Sequence, residues 1–368
     1  MKKLNWKNIL GIVVGVGVIA TIVGVNMQRS KLTGNEVIAM FPLTGKMASG
    51  GVEMLQGAQL AVDNWNENGG LLKQPVTLIK EDTKGNPTEA INIFHRSFSK
   101  ENKPLAVLGV ITGVVMNLKP LTEEAGIPLV GAIGANNFLD KPNNYVLRDY
   151  PTSKMIGKQI AQHLADKYSN KRIVYFYENT DMSLEIKKTI EENMPKGTNI
   201  AAFDFDTTML EFRDLILKSG VNNNDIVVIT GLGSPMGSLV RQLREYQYTN
   251  EILGNSNLFM PGCVNLAGNA MKNVAILDYI SDKNNPLCQK IDEAYQKKYG
   301  DKKLISSMVY LSYQGLDTLL AFFEQKKDRK VSNLTKEMEG FTHDGCFGMG
   351  RVENGELILP MAFRFYEE

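Results

Sequence analysis

Residues 36–86 read EVIAMFPLTGKMASGGVEMLQGAQLAVDNWNENGGLLKQPVTLIKEDTKGN, and this stretch decides the fold. Val37 to Phe41 is a short apolar strand that breaks at Pro42-Leu43-Thr44-Gly45 into a loop of small residues, Ala48, Ser49, Gly50 and Gly51. From Val52 the apolar residues Leu55, Ala58, Leu60, Ala61, Val62 and Trp65 recur at helical spacing, which predicts one face packed on a sheet. Asn68-Gly69-Gly70 ends that helix, because glycine takes the left-handed conformation at low steric cost. A second strand over 76–80 then runs into Glu81-Asp82-Thr83-Lys84-Gly85-Asn86. Strand, loop, helix, strand is one right-handed crossover of a parallel sheet.

Outward from this unit the alternation continues. Strands are expected at 105–110 and 129–130, with helices at 88–99 and 114–125. The rhythm resets near 146–151, where Pro151 disfavours helix before it and Thr152 or Ser153 can cap the helix that runs to Lys167. Further strands are expected at 173–177, 200–205, 226–230, 252–254 and 274–279, with helices at 184–193, 209–219 and 238–246 between them. Helices at 287–299, 307–323 and 334–340 follow, and the end reads as a hairpin about Asn354-Gly355, since Asn-Gly favours a type I′ turn. The fold class is therefore α/β, with two parallel-sheet Rossmann-like lobes.

Composition narrows the function. Forty-one basic against forty acidic residues give a net charge of +1, so no basic excess awaits a phosphate backbone and nucleic acid is excluded as a partner. Lys2, Lys3 and Lys7 precede an uncharged apolar run from Ile9 to Val25, near the lower limit for crossing a bilayer. Positive charge on its amino side predicts an export signal that can remain as a membrane anchor, followed by a polar linker up to residue 35. Cys263, Cys288 and Cys346 allow one bridge in an oxidising compartment, and sequence does not choose the pair. Thr342-His343-Asp344-Gly345-Cys346 gathers the residue types of a thiol catalytic site, but neighbours in a turn rarely converge as nucleophile, base and orienter. His95 and His163 sit in helical stretches, no zinc-ligand spacing occurs, and the Gly-rich loops lack a Walker Lys-Ser/Thr pair. The expectation is a binding protein that is not an enzyme and uses no cofactor or metal.

In an open parallel sheet, loops after the carboxyl ends of strands line the ligand crevice. Here those loops are small and polar: 44–51, 112–113, 134–137, 181–183, 231–234 and 255–257. From the first half they nominate Met47, Ser49, Ile111, Thr112, Gly113, Gly134, Ala135 and Asn136 as ligand contacts, and from the second Asp181, Met182 and Asn257.

The order of motifs is itself informative. Pro42-Leu43-Thr44-Gly45, Trp65-Asn66-Glu67-Asn68-Gly69-Gly70, Glu81 to Pro87, Gly109 to Thr112, Gly126-Ile127-Pro128-Leu129, Arg148, Arg241-Gln242-Leu243-Arg244 and Asn354-Gly355 together resemble the type I periplasmic solute-binding proteins of ABC transporters, in the leucine/isoleucine/valine-binding group. The resemblance implies a clamshell joined by three crossings that form a hinge. Lobe 1 would be 36–150 plus 281–342 and lobe 2 would be 151–280 plus 343–368, with Arg148, Asp149, Tyr150, Ser281 and His343 at the hinge. It also implies a monomer that hands a small polar solute, such as an amino acid or amide, to an ABC permease outside the cytoplasm. A membrane-tethered sensor on the same fold is the alternative. By the same resemblance Thr112, with amides near Val114 and Ala135, would hold a ligand carboxylate. The chain departs from the group at two positions: Met182 stands where an aromatic is expected, and Asn255-Ser256-Asn257 carries no acid for an ammonium. Asp181 is the substitute if it turns inward.

Overall fold

The computed structural model describes residues 34–45, 47–98, 103–134, 144–280, 284–300 and 307–366. In chain order the elements of the first half are β1 (Glu36–Phe41), α1 (Ala48–Glu67), β2 (Thr77–Asp82), α2 (Pro87–Ser97), β3 (Ala106–Val110), α3 (Thr112–Ala125), β4 (Leu129–Ala132) and β5 (Val146–Arg148). Then come α4 (Ser153–Tyr168), β6 (Ile173–Glu178), α5 (Asp181–Asn193), β7 (Ile200–Phe205), α6 (Arg213–Ser219), β8 (Ile226–Thr230), α7 (Pro235–Glu245), β9 (Ile252–Asn255), a 3-10 turn (Ser256–Phe259), α8 (Pro261–Ala267) and β10 (Val274–Tyr279). The chain finishes with α9 (Pro286–Tyr299), α10 (Met308–Lys326), α11 (Leu334–Glu337), β11 (Thr342–Gly345), β12 (Gly348–Glu353), β13 (Glu356–Ile358) and β14 (Met361–Phe365).

The strands form two sheets. The first runs β11-β12-β13-β5-β4-β3-β1-β2 and the second β14-β10-β9-β8-β6-β7. Strands β1 to β5 pair in parallel with one another, as do β6 to β10, with helices returning the chain between most of them, while β14 pairs antiparallel with β10. β1 is buried at all six positions, which is what helices on both faces produce. Its alternate residues serve two cores. Val37, Ala39 and Phe41 pack with Met54, Ala58 and Ala61 of α1 and Leu316 and Leu320 of α10. Ile38 and Met40 pack on the other face with Ile93 of α2 and Val115 and Leu118 of α3. The second sheet repeats the scheme: Val174 and Phe176 meet Leu239 and Leu243 of α7, while Ile173 and Tyr175 meet Ile160 of α4 and Ile186 of α5.

Close helix contact needs a missing side chain. A Cβ on Gly57 of α1 would lie 2.0 Å from the Val309 carbonyl oxygen, so the glycine lets α10 settle on α1. Asp317 of α10 fastens the same layer, accepting from Trp65 Nε1 at 2.7 Å and lying 2.8 Å from His343 Nε2.

The assignment of 343–368 to the second lobe requires correction. β11, β12 and β13 extend the first sheet, with Glu356 in register with Arg148 and the Arg148 amide donating to the Gly355 carbonyl at 2.7 Å. The turn itself is as expected, with Asn354 at φ 51 and Gly355 at φ 77. The expected strand 357–365, however, breaks at Leu359-Pro360, and only β14 pairs with β10 in the second sheet. Proline has no amide to donate at the break, and its carbonyl accepts from Ile280 at 3.1 Å. His343, expected at the hinge, instead lies on β11, the outermost strand of the first sheet. The chain therefore passes between the two halves three times, at 149–152, beyond Ile280 and at 359–360. Asp149 and Tyr150 lie on the first, Arg148 at its start, and Ser281 falls outside the described residues, as does the apolar run 9–25. Among the described residues no helix is long and apolar enough to cross a membrane.

Candidate ligand-binding cleft

A cleft of about 1040 Å³ lies between the two lobes. Its walls are the segments that follow the carboxyl ends of the strands. Pro42 follows β1, and Met47, Gly50, Gly51 and Met54 come from the start of α1. Val110 to Gly113 and Met116 carry the wall across the β3–α3 junction, and Ala132 and Gly134 continue it at the end of β4. The facing wall is Asn179 to Met182, Glu185 and Lys188 after β6, Leu232 after β8, and Asn257 and Met260 after β9. Tyr150 comes from the first crossing, Ser153 and Lys154 from the start of α4, and Met308 from the start of α10.

Local chemistry fixes these walls. Ile111, the residue before α3, sits at φ 72, a conformation that costs a β-branched residue energy and that the surrounding structure must impose. No side chain caps α3, and its first turn carries no acid; the same is true of α1. The starts of both helices, with the positive ends of their dipoles, thus form part of the cleft wall. By contrast the starts of α2, α4 and α5 are capped by Asn86, Thr152 and Thr180.

On the facing wall, Glu178 is 1 % exposed and accepts the amides of Leu232 and Gly233, holding the loop after β8 in place. Burial raises its pKa against the opposing pull of those two amides. Gly231 has no room for a side chain, since a Cβ would come 2.8 Å from the Glu178 carboxylate. Asn257 donates to the Gly231 carbonyl at 2.9 Å, and Asn255 both donates to and accepts from Gly231. Tyr150 joins the crossing to the second lobe, its hydroxyl 2.9 Å from Ser256 Oγ, and burial pushes its pKa up to about 12. The lobes also touch directly: a Cβ on Gly50 would be 3.0 Å from the Met260 methyl group.

Of the residues nominated from sequence, Met47, Ile111, Thr112, Gly113, Gly134, Asp181, Met182 and Asn257 line this one cleft. Ser49 does not; its hydroxyl is directed at Gly262 of α8. Ala135 and Asn136 lie outside the described residues. Asp181 is exposed on the first turn of α5. Sequence reasoning missed Met54, Met116 and Met308, which read as ordinary apolar helix residues, and Met260, which falls in a stretch where no element was expected. The available signal was position: Met116 follows Thr112 by four residues and so shares its face.

The cysteine and histidine of the 342–346 segment are engaged elsewhere. Cys346 is bridged to Cys288, and Cys263 is the free cysteine, buried with its thiol pushed up to about 12. His163 packs against Phe363 with ring centroids 4.1 Å apart and the planes tilted by 33°, and burial lowers its pKa.

Comparison with known proteins agrees with this architecture. The sequence profile of the family described as periplasmic binding protein matches residues 39–365. The Leu/Ile/Val/Thr-binding protein of Salmonella typhimurium is 21% identical over 327 residues, covering 88% of each chain. Among solved structures, a leucine-binding protein of Thermotoga maritima superposes with a TM-score of 0.79 at 23% identity, covering 90% of this chain and 95% of its own. A solute-binding protein of an ABC transporter from Rhodopseudomonas palustris, solved with 3,4-dihydroxybenzoic acid, gives 0.76 at 16% identity, covering 90% and 93%. These relatives are binding proteins rather than enzymes. With nearly the whole described chain matched by one profile and the clamshell reproduced, this chain belongs to the periplasmic binding protein family.

Proposed function

We propose that the chain is the extracytoplasmic solute-binding component of an ABC importer, closing its lobes over a small organic ligand and delivering it to a permease. The observation that carries this reading is the cleft: both walls are loops and helix starts at the carboxyl ends of parallel strands, and the lobes are joined by three crossings. Two bodies joined by such crossings can rotate about them, and a ligand touching both walls favours the closed arrangement. The Cys288–Cys346 bridge suits an oxidising compartment, and the apolar run at 9–25 suits export or tethering. Relatives named for leucine, isoleucine, valine and threonine make an amino acid, an amide or a related carboxylate the starting panel.

Thermal unfolding of the purified chain against that panel tests the proposal. One solute class should stabilise it saturably, by about 2.7 kcal/mol at 100 times the dissociation constant. No response from any amino acid, amide, organic acid or sugar would remove the transport role. Thr112→Ala should weaken binding roughly three- to tenfold, the worth of one hydrogen bond, and leave the unliganded melting temperature within a degree or so. Unchanged affinity would take Thr112 out of the site.

A further inference from the structure

We infer that the cleft selects an aromatic carboxylate over an α-amino acid, an inference that rests on the cleft being the solute site. The lining carries six methionines, Met47, Met54, Met116, Met182, Met260 and Met308, drawn from both lobes and the start of α10. A ligand held between the walls is therefore met by thioethers on several sides. Methionine is unbranched and polarisable, and its sulfur makes favourable contacts with aromatic rings. The only aromatic side chain among the described lining residues is Tyr150, whose hydroxyl is already engaged by Ser256. The cleft thus supplies the soft partner of a sulfur–ring contact and leaves the ring to the ligand.

Charge selects the polar end. The lining acids are Asp181 and Glu185, both on α5, where Asp181 is exposed and Lys188 lies on the same stripe one turn beyond. Asn257 stands on the inner wall where a buried acid could pair an ammonium, and the buried Glu178 is not among the lining residues, its Oε2 accepting the Leu232 and Gly233 amides. An ammonium shut into this cleft would lose its hydration without gaining a buried counter-charge. A carboxylate meets the reverse situation: the Thr112 hydroxyl and the uncapped, acid-free starts of α1 and α3. Removing the ammonium and keeping the carboxylate suits the polar wall, and a flat ring suits the thioether wall.

Calorimetry on the purified full chain with benzoate, cyclohexanecarboxylate, L-phenylalanine and L-leucine separates the elements of this inference. Benzoate should bind roughly tenfold or more tighter than either amino acid, and roughly two- to tenfold tighter than cyclohexanecarboxylate, which keeps the charge and loses the ring. Met182→Leu and Met116→Leu preserve bulk and remove sulfur, so each should narrow the gap between benzoate and cyclohexanecarboxylate. Failure of benzoate to bind, equal or tighter binding of an amino acid, or a gap that the leucine variants leave untouched would overturn the inference. If amino acids bind while benzoate does not, the importer reading stands and only this selection falls. If no solute of any class binds, both fall together.

Discussion

Asp149 shows how much a single residue on a crossing can be made to carry. Its carboxyl is fully enclosed, Oδ1 has no hydrogen-bond partner among the described residues, and a Cβ on Gly315 of α10 would come 2.2 Å from Oδ2. Burial pushes its pKa from 3.8 up to about 7. The folded chain therefore holds a proton that the unfolded chain releases near 3.8, so stability falls as pH rises from about 4 through about 7. The contribution is fully present below that window and lost above it. Asp149→Asn should flatten this dependence and raise stability at pH 8 by an amount on the order of a few kcal/mol, as read from guanidinium melts across pH 4–8. An unchanged slope would place the titration elsewhere. This residue was legible from sequence only as a position on a crossing. Its enclosure depends on Gly315, 166 residues later, and no local pattern joins the two. Thr112 was legible because an apolar strand followed by Thr-Gly and a helical pattern is a local signal. The cleft methionines were not, because a methionine on a helix face reads as core until the fold shows which turn faces the opening.

At the scale of elements, the β1–α1–β2 unit was readable because its two periodicities are clean and its breaks are chemically marked. Boundaries were less so. α5 and α7 begin at Asp181 and Pro235, three residues before the expected starts at 184 and 238, since Asp-Met-Ser and Pro-Met-Gly read as loop rather than as the opening of a helical pattern. β11 was missed altogether: a short edge strand with three of four positions at least partly exposed shows no alternation. The destination of the hairpin was missed for another reason. Asn354-Gly355 specifies a turn geometry but not which sheet edge receives it. The contact between α1 and α10 yields a prediction at this scale. Gly57→Ala gains about 1 kcal/mol of helix propensity but sets a methyl group 2.0 Å from a backbone oxygen that cannot rotate away. The overlap wins, and the variant should be about 1–3 kcal/mol less stable by chemical denaturation. A variant as stable as the parent would mean that the helices can part without cost.

For the molecule as a whole, the Cys288–Cys346 bridge ties α9 to the turn between β11 and β12 across 58 residues. Closing a loop of that length removes enough unfolded-state freedom to stabilise the fold by about 2–4 kcal/mol. Reductant, or a double Cys288→Ser, Cys346→Ser variant, should lower the melting temperature accordingly, while the buried Cys263 resists alkylation until the second lobe unfolds. Early alkylation of Cys263 in the folded chain would contradict its enclosure.

The route of the chain through its last stretch has a consequence for biosynthesis. Both sheets receive their final edge from residues 342–365: the first from β11, β12 and β13, the second from β14. A polypeptide that emerges amino end first can assemble the parallel interior of either lobe early, but it leaves both borders open until its closing segment arrives. Such a chain cannot complete either sheet until its last stretch is available.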